Sequence, residues 1–242
     1  MNCLFKYRPF VCRASVAGHS HIKKGIANQD SFLCVRKRKY LLIVVSDGMG
    51  SKPYADVGSK KACKAVKTEI ARFVKNKNNP LSVSQLFANI VETWKKLLQQ
   101  RDAHDCSATC LFVFATKSKI MTARLGDGMI CLLGKSGAES IALTDSKDET
   151  FSNVTQSLSD VIAADEFKYD FYDKSLFKGI VLSTDGISSD LESGMELPFA
   201  EDIFCNLKRM HFWRRNAFIR NMMRNWSVPH HTDDKTLIVA GF

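Results

Sequence analysis

The sequence predicts an α+β fold in which helices cover sheets. Three observations carry that prediction. The unbroken apolar run Leu41-Leu42-Ile43-Val44-Val45 reads as a strand buried on both faces. Strand-like segments near 107–116, 119–126 and 129–134 follow one another through short turns, as in a meander. Helical text comes in pairs, two helices between the early and middle strands and two before the last, so it does not alternate as a parallel βαβ wind would.

In chain order, residues 11–18 read as a first strand and Gly18–Gly25, rich in glycine, histidine and lysine, as a loop. Strands at 31–36 and 40–47 are joined by Arg36-Lys37-Arg38-Lys39, a charged hairpin turn. From Tyr54 to Val74 the apolar positions Ala55, Gly58, Ala62, Ala65, Val66, Ile70 and Phe73 mark one face of a helix, with lysines opposite. A second helix spans about Ser82 to Arg101, with Leu86, Ile90, Trp94 and Leu97 along one side. The meander then places Asp127 in a tight turn between its last two strands. Residues 137–175 are polar and acid-rich, and either a mobile segment over a site or a long surface excursion would read this way. A strand at 178–184, two arginine-studded helices over Phe199–Trp226, and a strand at 235–241 complete the chain.

The 242 residues are 45% hydrophobic and 25% charged, enough for one substantial core. No apolar run is long enough to span a bilayer, and Met1–Pro9 lacks the apolar centre of a secretory signal, so a cytoplasmic protein is expected. None of the eight cysteines forms a Cys-x-x-Cys pair, and small buried hydrophobes in a reducing compartment are the expectation. The net charge of +10 favours anionic partners without choosing among them.

Chemistry enters where strands end. Ser46-Asp47-Gly48-Met49-Gly50 closes the first apolar run, and the pattern of strand, acid and glycine returns in Leu125-Gly126-Asp127-Gly128 and Ser183-Thr184-Asp185-Gly186. Asp233-Asp234 precedes the last strand, and Asn28-Gln29-Asp30 precedes Ser31–Val35. Any one Asp-Gly is also a plain turn signal. Five acidic positions delivered by strand ends are what an all-oxygen site for a hard divalent cation requires.

These five motifs, in this order, resemble the metal-dependent protein serine/threonine phosphatases of the type 2C family, most closely the bacterial-type branch. The resemblance runs from about residue 14 to the C-terminus, so residues 1–242 are taken as one phosphatase-like domain. It implies a four-layer αββα sandwich, two central antiparallel β-sheets flanked by helices, with a metal cluster at one end. It also implies two Mg²⁺ or Mn²⁺ ions and a third in many members. Asp47 would bridge two ions, Gly48 would lend its carbonyl, Asp185 and Asp233 would complete the second ion's shell, Asp30 would act through water, and Asp127 would hold the third ion. Asp234 stands where the family often has Asn and would act behind the ligands. The catalytic set would be Asp47, Asp185 and Asp233, with an activated water attacking the phosphorus in line.

The implied partners are a phosphorylated protein substrate and an opposing Ser/Thr kinase, with the protein a monomer and nucleic acid not expected. Two departures bear on substrate binding. Where the family usually carries a phosphate-binding arginine this chain has Gly25, which leaves His21, Lys23 and Lys24 as the nearby phosphate contacts. Met49 stands where many eukaryotic members have histidine, and bacterial-type members share the methionine. Two further readings stay open: a catalytically inactive phosphatase-like module that binds phosphoprotein, motivated by the missing arginine, and a metal-dependent nuclease or phosphodiesterase, motivated by the +10 charge.

Overall fold

Strand β3 (Leu41–Ser46) shows why the apolar run is unbroken. Leu42 and Val44 pack beneath helices, while Ile43 and Val45 face a second sheet. Strand β4 (Cys110–Ala115), paired antiparallel with β3, divides its side chains the same way, Phe112 and Phe114 outward and Leu111 and Val113 inward. A strand with no solvated face has no polar alternation to show.

The computed structural model describes residues 9–76, 82–144, 156–159, 164–226 and 232–242. One sheet adds β2 (Ser31–Arg36), β5 (Lys119–Leu125) and β8 (Lys168–Asp173) to β3 and β4, in the order β2-β3-β4-β5-β8. The other contains β1 (Phe10–Val16), β6 (Met129–Gly134), β7 (Ile141–Leu143), β9 (Phe177–Ser183) and β10 (Lys235–Gly241), in the order β1-β10-β9-β6-β7. Every pairing is antiparallel.

Helices α2 (Ala55–Lys75) and α3 (Val83–Leu98) cover the first sheet. Helices α5 (Glu196–Arg209) and α6 (Phe212–Arg224) cover the second. Three apolar layers result, one under each helix pair and one between the sheets. This is the α+β sandwich expected, with two antiparallel sheets flanked by helices. Among the described residues no helix is long and apolar enough to cross a membrane.

The start of α3 is set by a capping box, in which Ser82 Oγ accepts the Gln85 N–H at 3.1 Å and Gln85 Oε1 accepts the Ser82 N–H at 2.9 Å. Trp94 on α3 is fully buried and its indole N–H donates to the Gly58 carbonyl of α2 at 3.1 Å, which locks the two helices together.

Three expectations need correction. The meander ends at β5: β4 and β5 pair, but β6 leaves for the other sheet and pairs with β9 and β7. Asp127 therefore sits in a bridge between sheets, not a hairpin, and Gly126 (φ 89°) and Gly128 (φ 134°) supply the left-handed backbone that turns the chain across. Gly18–Gly25 is not only loop, because α1 (His19–Lys24) forms there and closes on Gly25 in the left-handed region. The stretch 137–175, read as a mobile segment or a surface excursion, contains β7 and the edge strand β8, and its parts at 145–155 and 160–163 lie outside the described residues.

Trp94→Ala is expected to cost about 3–5 kcal/mol, because it empties a fully buried indole site and removes its hydrogen bond. Urea unfolding with an unchanged m-value would register it, whereas a loss under 1 kcal/mol would mean that the α2–α3 layer collapses around the gap.

Candidate metal centre

Antiparallel pairing collects the acids. The start of β2 lies against the end of β3, with Ser31 opposite Ser46, so Asp30 and Asp47 flank one sheet edge. The end of β9 lies against the start of β10, with Leu237 opposite Ser183, so Asp185 and Asp233 flank the other. Asp127 arrives from the bridge between the sheets. Asp185 opens α4 (Asp185–Ser188), a single turn.

Each acid is fixed by specific contacts. The Asp47 N–H donates to Thr109 Oγ1 at 2.8 Å and the Thr109 N–H returns to the Asp47 carbonyl at 2.8 Å. Gly48 follows because a Cβ there would lie 2.2 Å from the Ala55 carbonyl at the head of α2. Asp30 is buried, and its Oδ2 accepts the Thr184 hydroxyl at 2.8 Å. Thr184 Oγ1 also accepts the Thr236 N–H at 3.1 Å, tying the acid to β10. The other carboxylate oxygen of Asp30 is buried without a hydrogen-bond partner.

Asp234 serves a different purpose. Its Oδ1 accepts the Gly18 N–H at 2.7 Å and its Oδ2 the Gln29 N–H at 2.6 Å, which clasps the segment on either side of α1 to the start of β10. The ring of His21 brings Nδ1 to 3.0 Å from Asp234 Oδ2, a polar contact off the line of a ring hydrogen bond. His21, offered by sequence as a phosphate contact, is thus engaged by Asp234. Lys23 and Lys24 are exposed on α1. One donor atom each from His21, Asp233 and Asp234 also lie within 4.8 Å of one another, but Asp234 already holds two backbone N–H groups there.

The electrostatics join five acids into one group. Burial, then the charges of Asp30, Asp185 and Asp233, push Asp47 well above the carboxylate range. Burial pushes Asp30 up to about 7, with hydrogen bonds from Thr236 and Thr184 opposing and Asp234 reinforcing. Burial, then Asp233 and Asp127, push Asp185 up to about 6. Groups shifted by one another's charge face one another in the same low-dielectric end of the sandwich. The set is all oxygen, anionic and includes an unpartnered buried oxygen, so it fits hard divalent cations.

Sequence reasoning missed the residues that hold the acids in place. Thr184 lies inside the Ser183-Thr184-Asp185 motif, and Thr109 directly precedes an apolar strand; a hydroxyl at either strand end was the available signal. Lys235, 4% exposed, sits behind Asp233 with Nζ donating to the Asp233 carbonyl at 3.2 Å and lying 3.9 Å from Asp190 Oδ2.

The sequence profile described as protein phosphatase 2C matches residues 17–224. The chain belongs to the protein phosphatase 2C family. Solved structures agree on the fold. The serine/threonine phosphatase Stp1 from Staphylococcus aureus is similar at a TM-score of 0.65 and 14% identity, over 97% of this chain and 95% of that one. The catalytic domain of the serine/threonine protein phosphatase PstP, solved with two manganese ions, is similar at a TM-score of 0.62 and 15% identity, over 96% and 97%. RsbX, solved with magnesium, is similar at a TM-score of 0.60 and 18% identity, over 96% and 94%. No curated protein matches the chain at a significant level.

A carboxyl whose folded pKa is raised binds its proton more tightly folded than unfolded. Its contribution to stability is full below the unfolded value of 3.8 and is lost as pH rises through about 7 for Asp30. In EDTA, the thermal midpoint is therefore expected to carry a downward slope from pH 4 to pH 7 that Asp30→Asn flattens. Saturating Mn²⁺ should reverse the slope, because ligation favours the carboxylate. Parallel profiles for wild type and Asp30→Asn would contradict this.

Proposed function

We propose that the protein is a Mg²⁺- or Mn²⁺-dependent phosphatase acting on phosphoserine and phosphothreonine in proteins. The observation that supports this most is the convergence of Asp30, Asp47, Asp127, Asp185 and Asp233, each from a different strand end, into mutual electrostatic range. Asp47 is the central member, since the charges of three of the others raise it, and it would be the first carboxylate to hold an ion. Asp185 and Asp233 would hold the ions with it, and the Gly48 carbonyl, Asp30 and Asp127 would be further ligands. Divalent ions bound there supply positive charge that acidifies a water and offsets the charge gathering on the phosphoryl oxygens.

The chain's own residues do the positioning. Thr109 fixes the Asp47 backbone, Thr184 orients the Asp30 carboxylate, and Asp234 holds the α1 segment against the centre. Lys23 and Lys24, exposed on α1, are available to attract the substrate phosphate as point charges. In the cell such an enzyme acts opposite a Ser/Thr kinase.

One observation favours a second reading, a phosphoprotein-binding module without turnover. The position expected to carry the phosphate-binding arginine is Gly25, at the end of α1, and the neighbouring His21 lies against Asp234. Phosphate release from a phosphothreonine peptide with Mn²⁺ separates the two readings: turnover supports the enzyme, and metal binding without turnover supports the module.

Asp47→Ala and Asp185→Ala are each expected to lower turnover by at least ~10²-fold while circular dichroism and melting cooperativity stay those of a folded protein. Wild-type turnover in either variant would overturn the assignment. Thr184→Val removes the hydrogen bond that orients Asp30 together with the acceptor of the Thr236 N–H, and should weaken Mn²⁺ binding roughly 10–100-fold by calorimetry. Unchanged affinity would mean that Asp30 is oriented by packing alone.

A further inference from the structure

The end of the sandwich opposite the acids carries an excess of positive charge that catalysis does not use. Two tight turns meet there, Lys37–Tyr40 between β2 and β3 and Thr116–Lys119 between β4 and β5, because β3 and β4 are neighbours. Between them and the start of β1 lies a cavity of about 170 Å³ whose lining includes Arg36, Lys37, Arg38, Lys39, Lys117 and Lys174 and neither aspartate nor glutamate. Arg36 donates to the Pro9 carbonyl at 3.1 Å, and Lys174 Nζ stands 4.4 Å from the Phe242 ring. Burial, then Lys135 and Arg36, push the Lys174 ammonium below its usual range, as crowding of like charges does. The neighbouring carboxylate, Asp173, is turned onto the N–H and hydroxyl of Ser175 at 2.9 and 2.7 Å.

An apolar feature sits at this same end. The Arg215 guanidinium lies 4.5 Å over the ring of Phe10, the first residue of β1, which places the first turn of α6 beside the basic face. On that turn Phe212 and Trp213 are 69% and 65% exposed, with ring centroids 4.8 Å apart. Exposed Arg214 follows them directly.

An adjacent Phe and Trp held in water beside clustered lysines match an interface whose surface is anionic and whose layer beneath is apolar. A nucleic acid would use free aromatic faces for base stacking, but Trp213 already has His211 against it at 3.7 Å. The basic side chains also come from turn tips at one end and line no path toward the acids.

We propose that this end docks on an anionic phospholipid surface, with Lys37, Lys39 and Lys117 engaging headgroup phosphates and Phe212 and Trp213 entering the headgroup boundary. Docked so, the acid cluster points into solution, roughly 20 Å of strand away. The protein lies on the bilayer and does not span it.

Co-sedimentation of the full chain with phosphatidylcholine vesicles, with and without phosphatidylserine, tests this. Pelleting is expected to require phosphatidylserine, to fall steeply with added NaCl, and to shift tryptophan emission to the blue. Lys37→Glu/Lys39→Glu/Lys117→Glu should weaken partitioning on the order of a hundredfold or more. Phe212→Ser/Trp213→Ser should abolish the emission shift, and melts of both variants confirm that they remain folded. Equal pelleting without phosphatidylserine, undiminished binding by the triple variant, or an emission shift that survives loss of the two aromatics would each overturn the proposal. So would preferential retention on duplex DNA or RNA at the same salt, which would assign this end to nucleic acid.

Discussion

Like charges held together against their repulsion are the constraint on which the rest of this structure depends. Carboxylates brought out of water and toward one another favour their neutral forms, which is why Asp30, Asp47 and Asp185 all stand above the usual carboxylate range. A fold can keep such a cluster only if the elements bearing it cannot move apart. Here the bearing elements are central strands packed on both faces, β3 between helices and the second sheet, β9 and β10 likewise on the other side. Hydroxyls of Thr109 and Thr184 and the clasp of Asp234 add direction to that rigidity.

The legible parts of the sequence were those where burial and chemistry coincide. Leu41–Val45 announces a doubly buried strand, and its terminal Asp47 announces a site, because a rigid strand that ends on an acid delivers the carboxylate to a fixed point at the edge of the core. Asp185, after β9, is readable for the same reason, and Asp233 because it comes just before an equally buried strand. The partner of each strand was not readable. Met129–Gly134 follows Lys119–Leu125 by three residues, as a hairpin would, yet it joins the other sheet, and nothing local to Gly126-Asp127-Gly128 says which. Strand β8 was hidden for another reason. As an edge strand with Tyr169 and Phe171 exposed, Lys168–Asp173 lacks the buried alternation that marks a half-covered strand. His21 was ambiguous because a histidine beside lysines reads the same whether it meets a phosphate or, as here, an aspartate.

Charge in this molecule is sorted by end. Acids gather where β3 and β9 finish, and bases gather where the same sheets turn back, at Arg36–Lys39 and Lys117. The net charge of +10 therefore understates the acidity of one end and the basicity of the other. A molecule sorted in this way takes up a preferred orientation in any field, whether from a charged substrate approaching one end or a charged surface approaching the other.

The clasp made by Asp234 has a kinetic consequence. Its bond to the Gly18 N–H joins positions 216 residues apart, and β10 is inserted between β1 and β9 rather than added at an edge. Until β10 arrives, β1 has no hydrogen-bonding neighbour in its sheet, and the acids carried by the other strands lack their closing member. Loop closure over such a separation is slow, so the rate-limiting step of folding and the assembly of the centre should be one event.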